Sequence, residues 1–291
     1  MRRLLVMVAV TAIVLAAAAV YAADDFTITN NGWTYREHNI DKPGNQQAAG
    51  QPTNFFFQNE GNDVMQQNWW WFRAGGTGEL ALTNQTGFTQ LAPNAVQLTY
   101  LQTAANGAPL QFVLNYTLTG ISPTAASVEI DWTATNTSTT LSTPLDVFSY
   151  TNTKLLPNPN QQNVMTVGAF SATTDSMEVT SDTNPTIIDL VAQGAGSSPL
   201  VGWRVDDFKN LLNDLTDNTN TNFSTASQSL TNVNAEAGFQ WANANLGPGG
   251  QTGGILFKNV SSFAPPIPDA STLVLAASGA LSLLALRRRR R

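Results

Sequence analysis

The chain has no cysteine and a single histidine, His38. Without cysteine there is no disulfide, no thiolate nucleophile, no thiolate metal site and no lipid-modified cysteine anchor. With one histidine, a zinc site built on several imidazoles is excluded, and a Ser-His-Asp triad would have to use His38. No Gly-x-Ser-x-Gly turn accompanies it. A histidine flanked by Glu37 and Asn39 reads as a surface group. Charge is also scarce, at 12% of 291 residues. Of the 14 Lys and Arg, seven sit at the termini, which leaves seven in the body of the chain against all 20 acidic residues. So acidic a body disfavours phosphate backbones and excludes nucleic acid as the expected partner.

What remains is rich in Asn, Thr, Gln and Ser, with enough aromatic and aliphatic residues for a core. The two ends differ from the body. Arg2 and Arg3 precede an apolar run from Leu4 to Val20, and Val20-Tyr21-Ala22 satisfies the small-x-small rule for signal peptidase. This predicts a signal peptide over 1–22, cleaved after Ala22 or Ala23. At the other end, Pro265, Pro266 and Pro268 stop regular structure. Ser271 to Leu286 is uncharged, and the arginines Arg287, Arg288, Arg289, Arg290 and Arg291 follow. As a helix the uncharged run spans about 24 Å against a ~30 Å hydrocarbon core, with snorkelling arginines as a membrane stop. This predicts a membrane helix with the body outside.

The layout of motif, apolar helix and arginine cluster resembles a PEP-CTERM sorting tail, over about the last 25 residues. The motif here is Pro266, Ile267, Pro268, Asp269, Ala270, Ser271 and Thr272, a variant with Pro-Asp in place of Pro-Glu-Pro. The resemblance implies export, cleavage by an exosortase-type enzyme, transient anchoring in the inner membrane and a final place at the cell surface or in the extracellular matrix. Trp69-Trp70-Trp71-Phe72, Leu114 to Thr119, Phe239-Gln240-Trp241 and Leu246 to Gly250 also resemble segments of uncharacterised exosortase-sorted surface proteins. That likeness implies no catalytic residue.

The body, 23–264, alternates with period two. Val96, Leu98 and Tyr100 alternate with polar residues, as do Phe112, Leu114, Tyr116 and Leu118, then Val128, Ile130, Trp132 and Ala134, and then Ala237, Phe239 and Trp241. Ala105-Asn106-Gly107 reads as a hairpin turn. Phe208, Leu211, Leu212 and Leu215 have helical spacing behind Asp206 and Asp207, which predicts one short amphipathic helix over Asp207 to Leu215, capped by those carboxylates. The fold expected is an all-β antiparallel sandwich with that one helix.

Three groups of residues are candidates for chemistry. Glu129 and Asp131 share one strand face, as a pair of glycosidase carboxylates would, but their alternation reads as a solvated face. Asp214, Asp217, Asn218, Asn220 and Asn222 crowd together, yet no glycine or closing glutamate stands where a calcium loop needs it. Trp69 and Trp71 share a strand face and are candidates for stacking on sugars, against the alternative of burial on both faces. No catalytic residue, metal or cofactor is expected. The function expected is a non-catalytic surface or matrix protein with a structural or adhesive role. The alternative is an extracellular carbohydrate-binding or carbohydrate-processing domain, with extracellular polysaccharide as its partner.

Overall fold

A computed structural model describes residues 25–38, 53–58, 60–76 and 78–261. The segments read above as signal peptide and sorting tail, including Ala22, Ala23, Pro266 to Thr272 and Arg287 to Arg291, lie outside the described residues. The body is an all-β antiparallel sandwich, as its alternation predicts. Nine strands form the large sheet, and their spatial order differs from their chain order. Beginning at one edge, they are β15 (Ser229–Val233), β11 (Gln162–Thr166), β12 (Thr174–Ser181), β13 (Asn184–Gly194), β17 (Gln251–Ser261), β9 (Ala125–Asn136), β8 (Pro109–Ser122), β7 (Ala95–Thr103) and β6 (Gln85–Ala92). A five-stranded sheet packs on it, in the order β14 (Leu200–Asp207), β16 (Ala235–Leu246), β10 (Thr143–Thr153), β4 (Met65–Arg73) and β5 (Leu80–Ala81). A third sheet of β1 (Asp25–Asn30), β2 (Trp33–His38) and β3 (Asn54–Phe57) lies against β7 and β8.

The alternation in β7, β8 and β9 assigns their faces as read. Val96, Leu98, Tyr100, Phe112, Leu114, Tyr116, Val128, Ile130 and Trp132 are all buried. The core between the two large sheets is aromatic. Phe72 meets Phe112 at 5.2 Å, and Trp132 meets Trp241 edge-on at 5.7 Å. The 105–107 turn forms as expected, with Gly107 at φ 85° and its N–H donating to Ala104 O.

Strands β4, β10 and β16 are different, because they are buried on both faces. Their second face is covered by the helix α1 (Asn210–Asp214) and the loop that follows it. Phe223 of that loop packs on Phe148 at 5.4 Å, and Gln240 Oε1 accepts from its N–H. The helix is shorter than the predicted Asp207 to Leu215, because Lys209 takes a left-handed conformation (φ 71°) just before it. Its N-terminus is not capped by Asp206 or Asp207. Instead the Glu236 carboxylate, from β16, accepts from Lys209 N at 2.7 Å and Leu211 N at 3.0 Å. Asp206 binds Arg204 and the Asn210 amide.

Candidate functional site

The residues singled out by sequence are placed as follows. Trp69, Trp70 and Trp71 are all at most 4% exposed, so Trp69 and Trp71 offer no open ring to a sugar: of the two readings, stacking is set aside and burial on both faces holds. The cause is the cover on both sides of the five-stranded sheet. Trp70 packs on Trp241, Trp71 on Tyr150 and Trp69 on Tyr100. His38 faces Asp25 across the β1–β2 pairing, with Nδ1 at 3.1 Å from Oδ2. The Asn- and Asp-rich segment after α1 spends its polar groups on its own anchorage. Asp214 pairs with Arg204, Asn220 accepts from Gly78 N, and Asn222 and the Thr221 carbonyl accept from Arg73. Among the described residues no cluster of three or more His, Asp or Glu is arranged to hold a metal ion.

Glu129 and Asp131 lie on the face of the nine-stranded sheet that points away from the sandwich. Their pairings bring together residues far apart in sequence. Asp131 lies between Asn115 of β8 and Ile255 of β17, and Ile255 pairs in turn with Gln193 of β13. A cleft of about 380 Å³ opens here, lined by Asp131, Thr133, Gln193, Ser197, Gln251 and Ile255. Two glycines help shape it. At Gly253 a Cβ would come within 2.6 Å of Trp132 O, and at Gly254 within 2.7 Å of Trp241 Nε1. The floor is fixed from beneath, because Trp241 Nε1 donates to the Gln193 carbonyl at 2.9 Å. One wall is the turn after β13, closed by Ser198 N donating to Ala195 O and by contact between the Ser197 and Thr252 hydroxyls.

Asp131 is the chemically distinctive member of this cleft. It is half-buried, and among the described residues no donor or cation reaches its carboxylate. Burial alone pushes its pKa up. Glu129 is its exposed neighbour on the same face, two residues along β9 and roughly 7 Å away by strand rise. Two carboxyl groups on one strand face, one half-buried in a cleft and one exposed beside it, are an arrangement suited to general acid–base work. A second, larger cleft of about 530 Å³ lies between Gly61 to Val64, Leu156-Pro157 and Thr183 to Thr186. Its carboxylate, Asp63, is pushed up to about 6 by burial, but it is fully engaged by the Phe55 and Met65 N–H groups and the Asn54 amide. Asp63 is therefore a structural group.

Sequence reasoning placed Asp131 on the correct face but not in a cleft. It missed the buried polar residues Glu37, Asn68, Glu236 and Lys258 altogether. Nothing local marks these residues, since each is made polar-in by partners distant in sequence: Glu37, Asn68 and Lys258 by one another across three sheets, and Glu236 by Tyr150 and the start of α1.

No protein-family model matches the chain, and no curated protein sequence does either. Solved structures do resemble it. The GalM/aldose epimerase homologue from C. elegans superposes with a TM-score of 0.50 at 10% identity, over 84% of this chain and 100% of that one. A bacterial glucoamylase complexed with acarbose gives 0.43 at 9% identity, over 88% of this chain and 32% of that one. A putative aldose 1-epimerase from Escherichia coli K12 gives 0.43 at 7% identity, over 81% and 98%. At such identities the first likeness is one of fold. It nonetheless corrects the expectation of a non-catalytic structural or adhesive protein that is no enzyme.

Proposed function

We propose that this is an exported carbohydrate-processing protein that seats a sugar in the cleft over β9, β17 and β13, with Asp131 exchanging a proton with it. The observation behind this reading is Asp131 itself. A half-buried carboxylate without a partner, in a cleft lined by hydroxyls and amides, costs stability unless it serves a ligand. Thr133, Gln193, Ser197 and Gln251 offer the donors and acceptors that sugar hydroxyls need, and Ile255 offers an apolar contact for a ring face. The fold shared with an aldose epimerase homologue supports the same substrate class. Glu129 is the second carboxylate available to the reaction. His38 is not required, because it lies on another sheet. Export by signal peptidase, and sorting by an exosortase-type enzyme through the 265–291 tail, belong to this proposal.

The test is calorimetric titration of the protein with neutral mono- and oligosaccharides, coupled to polarimetry for interconversion of sugar anomers. Saturable binding is expected. Asp131→Asn should abolish any turnover and weaken binding about tenfold, the loss of one hydrogen bond to a charged group. Absence of binding to every saccharide tried would overturn the reading.

A further inference from the structure

The cleft is one end of a longer surface, and the strand register gives its layout. On the outer face, Asp131, Ile255 and Gln193 form one row across β9, β17 and β13. Glu129, Phe257 and Val191 form the next row. Ser127, Asn259 and Asp189 form the third, and Glu178 of β12 stands directly beside Asp189. Phe257 is thus at the centre of a diagonal whose ends are Asp131 and Asp189. By strand spacing and rise the two ends are roughly 16 Å apart. Ile255, Phe257 and Val191 make a half-buried apolar strip between them.

Charge on this face has one sign. It presents four carboxylates, Glu129, Asp131, Glu178 and Asp189, while the only basic residue in the nine strands, Lys258, points into the core and is fully buried. Among the described residues nothing neutralises the two ends of the diagonal. Asp189, like Asp131, is pushed up by burial alone. An ammonium placed on this diagonal would find a carboxylate at either end and an aromatic face between them. A carboxylated sugar would find only repulsion.

We propose that this face is an extended glycan subsite whose occupant is an oligosaccharide of amino sugars with free amines, running from the Asp131 cleft across Phe257 to Asp189. The proposal rests on the reading of the Asp131 cleft as a sugar site and adds the class of sugar. It draws on the charge complementarity of the face, on its apolar centre, and on the cleft at its end. Phe257 is the platform for a central ring. Asp189, with Glu178 beside it, takes the amine of a unit remote from Asp131.

The probes are the tetrasaccharides of glucosamine, N-acetylglucosamine and galacturonate, and a tetralysine peptide, titrated into the protein at about pH 6 and low salt. The glucosamine tetramer should bind about tenfold more tightly than its acetylated counterpart, the worth of one charge-assisted contact, and galacturonate should not bind. Asp189→Asn should erase the preference for free amines and leave affinity for the acetylated tetramer unchanged. Phe257→Ala should weaken both. If acetylated and free tetramers bind alike, or if Asp189→Asn leaves the preference intact, the amino-sugar subsite is wrong while the Asp131 site stands. If tetralysine binds as tightly as the glucosamine tetramer, the face is a general cation surface and the proposal fails. If no glycan binds, the reading of the cleft falls with it.

Discussion

At the scale of single residues, the core contains one group that its surroundings oppose. Lys258 is fully buried on the inner face of β17, and its ammonium donates to Asn68 Oδ1. Asn68 in turn donates from Nδ2 to Glu37 Oε1 at 2.6 Å, and Tyr35 and Tyr116 donate to the same carboxylate. One asparagine thus links a lysine of the large sheet to a glutamate of the three-stranded sheet, which ties all three sheets together at one point. Burial pushes Lys258 down to about 7, and the nearby Glu37 charge only partly offsets this. In the unfolded chain the amine has its ordinary pKa near 10.5. Between those two values the unfolded chain holds a proton that the fold rejects. Stability from this group is therefore present above about pH 10.5 and is lost as pH falls through about 7, by up to about 1.4 kcal/mol per pH unit. Lys258→Met should flatten that slope in denaturant melts between pH 7 and 10. Near pH 10, where the amine is neutral in the fold, it should also cost about 1–3 kcal/mol, because Asn68 Oδ1 loses its donor in the interior. An unchanged slope would place the titrating group elsewhere.

At the scale of elements, α1 shows what a local reading of sequence reaches. Leu211, Leu212 and Leu215 are buried as their spacing predicts, yet the cap comes from Glu236, far along the chain in β16. Asp206 and Asp207 had the right residue type and position, but Arg204 competes for the first of them and the left-handed Lys209 separates both from the helix. Glu236 also accepts from Tyr150 Oη at 2.6 Å, and burial pushes its carboxyl up to about 7. Glu236→Ala should lower stability by about 2 kcal/mol, the upper range for a helix cap. Amide exchange should show α1 and the loop through Phe223 opening first, because that loop is seated over the same sheet face. Uniform loss of protection across all strands would show that the carboxylate stabilises the sandwich globally and not this cover. The same cover explains the strand readings. Alternation identifies β7, β8 and β9 because they have one buried face. It cannot identify the two-sided burial of Trp69 to Phe72, since a strand roofed by a distant loop looks locally like one with an exposed aromatic strip.

At the scale of the whole molecule, the cleft exists because topology joins three strands that the sequence keeps apart. Asp131 is legible as an outward residue of β9. Its neighbours Ile255 and Gln193 come from strands more than sixty residues on, and the room above it depends on glycines that read only as strand breakers. Gly254→Ala therefore tests architecture and site together. Its new methyl would press on the Trp241 and Trp132 indole nitrogens and on the Gln193 carbonyl. A loss of about 1–3 kcal/mol is expected from overpacking, with weaker sugar binding through displacement of the Trp241–Gln193 hydrogen bond. The tail provides the last prediction at this scale. Among the described residues every buried apolar one lies between Phe26 and Val260, and β17 completes its pairing with β13 at Ser261 opposite Ile187. Removing residues 265–291 therefore takes nothing from the described core. The melting temperature should move by less than about 2 °C, under ~1 kcal/mol for a domain of this size. In the native host the truncated protein should appear in the medium, while the full chain should fractionate with the envelope until its tail is processed. A truncated protein that is insoluble, or a full-length protein recovered from the cytoplasm, would defeat the sorting-tail reading; among the described residues no helix is long and apolar enough to cross a membrane.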